Sequence, residues 1–114
     1  MEGCIFCKVA NHEIPSRIVY EDDEVVAFQD LDPVAPVHIL IIPKRHISGI
    51  TSLADEDKGL VGGILLTAKK LAQERSIAES GLRIVVNHGE DAGQSVPHLH
   101  FHLLGGRPMR WPPG

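Results

Sequence analysis

The chain has 114 residues, a length near the common domain size, and a formal net charge of −4. Its 43% hydrophobic and 23% charged residues are typical of a globular protein. Its 11 lysines and arginines are scattered along the sequence. This argues against duplex nucleic acid or a membrane surface as a partner, because both are bound through clustered basic residues. A mononucleotide needs only a few local donors and is compatible with this composition. We expect residues 1–114 to form a single domain.

The sequence shows no features of a secreted or membrane protein. Its first residues lack the basic start of a signal peptide, and no apolar run approaches the roughly 18 residues of a membrane span. The two cysteines, Cys4 and Cys7, are too close together to suggest a framework of structural disulfides. We therefore expect a cytoplasmic protein.

The first half of the chain predicts a short helix, a hairpin and a third strand. Two β-branched and aromatic runs flank an acidic turn, a pattern typical of a hairpin. A proline-containing loop then leads into a nearly continuous apolar run that Pro43 ends. The predicted segments are helix 4–10, strands 18–20 and 25–28 around turn 21–24, loop 30–36 and strand 38–42.

The second half predicts one long helix, from about residue 55 to about residue 79. Ser52 and Asp55 have capping-box spacing, and Gly81 occupies the position expected of a C-terminal cap. Apolar residues recur at helical spacing and should face the core. They are Leu60, Ile64, Ala68 and Leu71. Two further strands, residues 82–86 and 99–104, complete an α+β fold with a five-stranded antiparallel sheet, one long helix and one short helix.

Three glycines, Gly59, Gly62 and Gly63, fall inside the long predicted helix. Each costs up to about 1 kcal/mol relative to alanine in a helix interior. Two explanations are open. Either the helix simply tolerates them, or they admit the close approach of another backbone, such as that of a second subunit.

Three of the seven histidines, His98, His100 and His102, alternate with apolar residues. Alternate residues of a strand share a face and lie about 6.6 Å apart, so all three imidazoles should stand on one side while Leu99 and Phe101 point into the core. Two chemical explanations remain. The rings could bind a metal such as zinc, or the middle ring could act as a nucleophile toward phosphorus, since an imidazole near its ordinary pKa of about 6.5 is largely neutral at pH 7.

The glycine-containing segment 87–96 leads directly into the histidines. Such a turn can aim backbone N–H groups, around Gly93, and the side chains of Gln94 and Ser95 at an anion. Donors aimed at developing negative charge are the main requirement of phosphoryl-type transfer. This favours the nucleophile over the metal.

The segment 93–107, Gly-Gln-Ser-Val-Pro-His-Leu-His-Phe-His-Leu-Leu-Gly-Gly-Arg, resembles the signature of the histidine triad superfamily. The ending Trp-Pro-Pro-Gly, residues 111–114, is similar to that of its histidine triad nucleotide-binding branch. Further matching segments are residues 14–16, 20–23, 28–30 and 35–47, so the resemblance covers nearly the whole chain. Pro97 departs from the pattern, because many relatives carry an aromatic residue there.

This resemblance implies a fold, an assembly and an activity. The fold is the five-stranded antiparallel α+β architecture of the superfamily, and two copies dimerise into one continuous sheet. The activity is hydrolysis of purine nucleoside phosphoramidates, and also of acyl-nucleotides, through a nucleotidyl-histidine intermediate. The substrates are conjugates of AMP or GMP, and no cofactor is required for catalysis.

The resemblance also implies roles for individual residues. His100 is the nucleophile, His98 and His102 flank it, and His38 supports the triad. The implied substrate-binding residues are Asn87, Ser95, Gln94 and Gly93 near the phosphate and leaving group, Asp30 at the ribose, Phe6, Ile18, Phe28 and Ile42 around the base, and Trp111, whose tail reaches the site of the other protomer. Several have simpler alternatives: the apolar four could be core residues, and Asp30 and Ser95 could stabilise turns.

Cys4 and Cys7 have the spacing of half a zinc site. Some bacterial-type relatives appear to complete such a site with two histidines, which correspond here to His46 and His98. The resemblance therefore implies a structural zinc held by these four residues. Two rival functions stay open: a zinc-dependent hydrolase with the metal on the histidine strand, and a nucleotide-binding protein without catalysis.

Overall fold

The structure, a computed structural model, describes residues 3–114. Within this part of the chain, five strands and two α-helices are joined by loops that contain three short 3-10 helices. The helices are α1 (Ile5–Ala10) and α2 (Lys58–Glu74). The strands are β1 (Ile18–Glu21), β2 (Val25–Gln29), β3 (Val37–Pro43), β4 (Leu82–Val86) and β5 (Phe101–Gly105).

The five strands form one sheet in the order β1-β2-β3-β5-β4. Every neighbouring pair is antiparallel, so the predicted α+β fold with a five-stranded antiparallel sheet is confirmed. In β1 and β2 the predicted hairpin is present. Asp22 closes its turn, because its Oδ1 accepts the backbone N–H groups of Glu24 and Val25 at 2.8 and 2.9 Å. The central strand β3 is buried over six of its seven residues.

Alternation along the strands gives the sheet two different faces. On one face Ile39, Ile41 and Leu103 pack under α2, whose predicted core residues are all buried there. On the other face Val26, Leu40 and other apolar residues pack against the short helix α1. Because β3 is apolar on both faces, it can lie between these two layers. The functional residues considered below lie on the α1 face.

Helix α2 is shorter than predicted, and its caps differ from the predicted ones. A 3-10 turn, Asp55–Asp57, precedes it. The cap is made by Asp57, whose Oδ2 accepts the backbone N–H of Ala54 at 2.8 Å, so the predicted capping role of Ser52 is wrong. A carboxylate at position N3 that accepts the N–H of the N-cap residue is one half of a capping box. The observed pair, Ala54 and Asp57, lies two residues after the predicted pair, Ser52 and Asp55.

The C-terminal end of α2 falls at Glu74, five residues earlier than predicted. The N–H groups of Ser76 and Ile77 donate to Gln73 and Ala72 at 3.2 and 3.0 Å, which is the hydrogen-bond pattern of a Schellman motif. Ser76 takes the left-handed conformation that this motif requires, with φ 60°. Gly81, with φ 127°, instead lies in the turn that enters β4. Because Ser76, and not a glycine, occupies the left-handed cap position, the sequence did not indicate where the helix ends.

The three helix glycines have free space beside them. A Cβ added at Gly59, Gly62 or Gly63 would meet no neighbouring atom of the protomer within 4 Å. Packing inside the chain therefore does not require them, and the approach of a second backbone stays a prediction. Among residues 3–114, no helix is long and apolar enough to cross a membrane.

Candidate active site

The three histidines lie where β5 begins, on the α1 face of the sheet. The predicted strand 99–104 starts only at Phe101, so His98 and His100 precede it in irregular backbone. The ladder ends there because Pro43, the last residue of β3, has no N–H to offer. The apolar residues between the histidines still point into the core under α2. The alternation was therefore predicted correctly, although the start of the strand was not.

His100 is held in one orientation by a main-chain carbonyl. Its ring is buried, with 4% of the residue exposed, and its Nδ1 lies 2.7 Å from the carbonyl oxygen of His98. A carbonyl oxygen can only accept, so Nδ1 must carry the proton. In the neutral ring, Nε2 then keeps a free lone pair. The edge of Phe6 packs against this ring, with the ring centroids 5.1 Å apart.

A second chain of hydrogen bonds fixes His102. The backbone N–H of Val34 donates to His38 Nδ1 at 3.1 Å, so the proton of His38 must be on Nε2. That Nε2 lies 2.9 Å from His102 Nδ1 and donates to it. The proton of His102 is therefore on its own Nε2, a buried atom that has no hydrogen-bond partner. An unpartnered buried donor is costly and marks a position where a ligand acceptor belongs.

The environment disfavours protonation of His38 and His102. Burial, together with the charges that His100 and His38 would carry, lowers the pKa of His102 to about 4, although Asp30 opposes the shift. Burial also lowers the pKa of His38, again against the opposing effect of Asp30. The rings of His100 and His102 are 5.0 Å apart at their centroids, so a charge on His100 would disfavour protonation of His102.

Asp30 lies beside His38 with one oxygen available. Its Oδ1 accepts the backbone N–H of Asp32 at 2.8 Å, and its Oδ2 is 3.4 Å from His38 Nε2. Asp30, His38 and His102 lie close enough together to suggest a metal site. However, the tautomer set by Val34 places a proton on His38 Nε2, the atom that would have to bind the ion. The hydrogen-bonded arrangement therefore suits an acceptor ligand better than a cation.

An apolar cavity of about 200 Å³ opens next to these residues. Of the residues predicted around a base, Phe6 and Phe28 line it, and Asp30 lies at its edge. The two phenylalanine rings meet edge to face with centroids 5.5 Å apart. The other lining residues are Ile5, Val9, Ile14, Pro15, Ser16, Gln29, Leu31 and Leu40. Leu40 was missed, although it shares the face of His38 by simple alternation along β3.

Two of the predicted base-contacting residues lie elsewhere. Ile42 is fully buried in the cluster between the sheet and α1, and Ile18 packs against the same cluster without lining the cavity. For Ile42 the alternative of a core residue therefore describes its position, because it is fully buried among α1 and strand residues. A β-branched residue in a strand looks the same in sequence whether it faces a cavity or a helix.

The turn 87–96 is bound together mainly by Gln94. Its Oε1 accepts the N–H of Gly89 at 2.9 Å, and its Nε2 donates to the carbonyls of Ser48 and Val96 at 2.9 and 3.2 Å. The backbone N–H of Gln94 also donates within the turn, to Gly89 at 3.1 Å. A contact of this side chain with a ligand would have to replace these bonds, so Gln94 as placed holds the turn in shape.

Three further predicted residues have distinct positions. Gly93 adopts φ 75° and its N–H donates to Glu90 at 2.9 Å, so it shapes the turn. Asn87 follows β4 directly, and Ser95 is exposed on a groove that it shares with His46. Trp111 is 81% exposed in the tail, which the bond from Arg83 to the carbonyl of Arg110 fastens to β4 at 3.0 Å.

Cys4, Cys7, His46 and His98 converge as the resemblance implied. Their ligand atoms all lie within 4.8 Å of one another. The sulfur–nitrogen distances from Cys4 to His98 and from Cys7 to His46 and His98 are 3.3, 3.2 and 3.5 Å. A tetrahedral zinc, with bonds of about 2.3 Å to sulfur and 2.0–2.1 Å to nitrogen, separates such atoms by roughly 3.5 Å.

The tautomer of His98 also fits a metal at this cluster. Its Nε2 lies 2.9 Å from the carbonyl oxygen of Pro43 and must donate to it. The lone pair of Nδ1 is therefore directed at the two thiols, which is the arrangement by which a carbonyl orients a metal-binding histidine. Two thiols and two imidazoles are the donors that zinc prefers, so these four residues would hold it.

The sequence matches the model of the HIT domain over residues 11–109, and this chain therefore belongs to the HIT (histidine triad) family. It is 49% identical to an uncharacterised HIT-like protein of Synechocystis sp. over 113 residues, 99% of this chain and 98% of that protein. It is also 48% identical to adenylylsulfatase HINT1 of Arabidopsis thaliana over 112 residues, which cover 96% of this chain and 76% of that protein.

Solved structures show the same fold. A HIT family hydrolase from Legionella pneumophila superposes with a TM-score of 0.97 at 52% identity, covering 98% of this chain and 100% of that one. A histidine triad nucleotide-binding protein from Candida albicans superposes with a TM-score of 0.83 at 34% identity, covering 96% of this chain and 83% of that one.

The low pKa of His102 predicts a loss of stability in acid. The unfolded chain binds a proton at a histidine pKa of about 6.5, whereas folded His102 stays neutral until about pH 4. Because the unfolded state then binds more protons, the free energy of unfolding falls as the pH is lowered from about 6.5 to about 4. We expect His102 to contribute about 1–2 kcal/mol of this loss, less than the full shift implies, because solvent partly screens the ring.

Urea unfolding of the wild type and His102→Gln between pH 7 and pH 4 measures this contribution. The glutamine variant should show the shallower pH dependence. His88→Gln, which changes an exposed histidine whose hydrogen-bond partner is the neutral Thr51, should follow the wild type. Equal slopes for the wild type and His102→Gln would contradict the assignment.

Proposed function

We propose that this protein hydrolyses purine nucleoside phosphoramidates and acyl-nucleotides, with His100 Nε2 as the nucleophile. The observation that carries the proposal is the hydrogen bond from His100 Nδ1–H to the His98 carbonyl, 2.7 Å long. It leaves the Nε2 lone pair free, close to the unpartnered donor of His102. A nucleophile beside a donor that awaits an anion is the arrangement required for attack on a phosphate group.

The reaction proceeds in two displacements at phosphorus. In the first, the Nε2 lone pair of His100 forms a bond to phosphorus while the P–N bond breaks, and the leaving nitrogen takes up a proton to become an amine. In the second, water adds to phosphorus, the electrons of the N–P bond return to Nε2, and the water releases a proton. The net reaction consumes one water and yields an amine and a nucleoside monophosphate.

His102 and His38 support this chemistry without changing their charge. The Nε2–H of His102 donates to a non-bridging phosphate oxygen, and the ring stays uncharged across the physiological range because its pKa is about 4. His38 holds His102 in the required tautomer, and the main chain at Val34 holds His38. His98 contributes through its carbonyl, which orients His100.

The nucleoside occupies the apolar cavity beside the histidines. Phe6 and Phe28 supply flat apolar contacts for a purine, and the free Oδ2 of Asp30 is the acceptor for the ribose hydroxyls. These contacts suit AMP and GMP conjugates alike. Asn87 and Ser95 approach the phosphate and the leaving group from the turn 87–96. An adenylyl group attached to sulfate, the substrate named for the Arabidopsis relative, offers phosphorus the same displacement with a different leaving group.

The two rival functions have less support. A catalytic zinc on the histidine strand would need a lone pair from each of the three rings, but the lone pair of His98 faces the two thiols and the unbonded nitrogen of His102 carries a proton. A protein that only binds nucleotides would not need a nucleophile held in this tautomer. The Legionella structure is that of a HIT family hydrolase, which also favours catalysis.

Mass spectrometry of the quenched protein tests the proposal. After mixing with an adenosine phosphoramidate, the wild type should carry an adenylyl group on His100. His100→Ala should lose turnover by at least about 10⁴-fold, as enzymes do without their nucleophile, while still binding AMP. His12→Ala, at an exposed site, should react like the wild type. Turnover without any nucleotide attached to the protein, or unchanged turnover in His100→Ala, would contradict the mechanism.

The same proposal includes a homodimer and a structural zinc. The outer side of α2 exposes Leu65 and Leu66, and the edge strand β4 exposes Leu82. The glycines of α2 have open space beside them on the same helix. Pairing two such surfaces would join the two sheets and bring Trp111 of each tail to the other site.

Zinc at the cysteine–histidine cluster would tie α1 to the sheet. This is a structural role in which no reacting atom contacts the metal.

Sedimentation equilibrium tests the dimer. We expect a mass near twice the 12.4 kDa of one chain. Leu66→Glu should shift the equilibrium toward the monomer, because it places a charge in an apolar interface. Ile50→Glu changes a similarly exposed apolar residue away from this surface and should leave the mass unchanged. A wild-type mass of one chain at micromolar concentration would contradict the assembly.

A further inference from the structure

We propose that metal occupancy of the cluster formed by Cys4, Cys7, His46 and His98 controls the nucleotide site, through Phe6 and through the main chain of His98. This inference rests on the proposed role of His100, and it adds a function for the cluster beyond holding the fold together. Two independent connections on the α1 face support it. One runs through the side chain of Phe6, and the other through the backbone of a metal ligand.

The first connection is the position of Phe6 on α1. Phe6 lies between the two cysteines in sequence, and its ring packs near both a cluster histidine and the nucleophile. Its centroid is 6.0 Å from that of His98 and 5.1 Å from that of His100. The same ring meets Phe28 at 5.5 Å and forms a wall of the nucleoside cavity. Any displacement of α1 therefore moves both the cavity wall and the ring that packs on His100.

Helix α1 is short enough to depend on its anchors. It spans only six residues, Ile5–Ala10, and helices of this length are not stable without tertiary contacts. Its N-terminal cap is the thiol of Cys4, which accepts the N–H of Cys7 at 3.4 Å. A metal bound by Cys4 and Cys7 would fix this first turn at two points and would therefore fix the ring between them.

The second connection runs through His98 itself. Its Nδ1 faces the two thiols, its Nε2–H is bound to Pro43, and its carbonyl oxygen accepts the proton of His100 Nδ1. The next residue, Leu99, donates its N–H to the carbonyl of Ile47 at 2.6 Å, directly beside the ligand His46. A metal that holds both histidines would thus hold the carbonyl that sets the tautomer of His100.

The consequence is a difference in nucleotide affinity between the metal-loaded and metal-free protein. In the loaded form, Phe6 closes the cavity and covers His100. In the metal-free form the first turn of α1 is released, because no ion then ties its two thiols to His46 and His98, and the cavity loses a wall. An edge contact between aromatic rings, together with the area it buries, accounts for about a tenfold change in AMP affinity.

Two measurements on wild-type protein test this, with zinc content determined alongside. The first is the Kd of AMP by calorimetry for zinc-loaded and chelator-treated protein. The second is the rate at which diethyl pyrocarbonate modifies His100, located by peptide mass spectrometry. We expect metal removal to weaken AMP binding about tenfold and to speed modification of His100 several-fold. Modification of His12 should not change. Zn²⁺ should restore both values, and Mg²⁺ should not, because thiolates and imidazoles are poor ligands for Mg²⁺.

Variants on α1 separate the metal from the ring. Phe6→Leu should bind zinc as the wild type does, yet bind AMP weakly and with little response to metal removal. Cys7→Ser should lose zinc and behave like the metal-free wild type. Lys8→Ser, at the adjacent exposed position, should behave like the loaded wild type. If Cys7→Ser fails to fold, the comparison of loaded and metal-free wild type together with Phe6→Leu still decides the question.

Three results would overturn the inference: no zinc bound to the purified chain, equal AMP affinity and equal His100 modification with and without metal, or loss of the circular dichroism signal of the whole fold on chelation. Failure of the proposed function has a different signature. A zinc-loaded protein that hydrolyses no phosphoramidate would refute the hydrolase, whereas the affinity and modification data would still decide whether the cluster and His100 are coupled.

Discussion

The hydrogen bond from His100 Nδ1–H to the carbonyl oxygen of His98 is the interaction on which this site depends. An imidazole with both nitrogens in water exchanges between two tautomers, and only one of them has its Nε2 lone pair free. A main-chain acceptor two residues away removes this choice without adding a charge. This distinguishes the site from triads in which a carboxylate orients the histidine. The orientation of the nucleophile therefore depends on the geometry of the backbone just before β5.

Hydrogen bonds to main-chain groups set the tautomers of four histidines, directly for three of them and through His38 for His102. Pro43 fixes His98, His98 fixes His100, and Val34 fixes His38, which in turn fixes His102. The outcome differs by position. In His98 the free lone pair faces two thiols and suits a metal, whereas in His102 the free proton points into the site and suits an anion. Neighbouring imidazoles on one short segment thus acquire different functions from the carbonyl or N–H that each one meets.

Sequence patterns predicted the fold well because the strand sequences either alternate between apolar and polar residues or are apolar throughout. The alternation around Phe101 and the apolar run of β3 correctly assigned residues to the two faces. Helix ends were predicted poorly, since Ser76 takes the left-handed position that glycine usually marks and Asp57 caps from inside the turn. In the site, the convergence of Cys4 and His98 followed from the resemblance. The hydrogen bonds of Gln94 and the burial of Ile42 did not, because the carbonyl of Ser48 and the α1 residues that pack with Ile42 are distant from them in sequence.

Long-range ¹⁵N–¹H NMR of the imidazoles tests the central claim most directly, because it reports which ring nitrogen of His100 carries the proton. Without nucleotide, the account predicts that the neutral ring is protonated on Nδ1, with a free Nε2. A His100 ring protonated on Nε2, or exchanging equally between both tautomers, would contradict it, since the nucleophilic lone pair would then not be held toward the bound phosphorus.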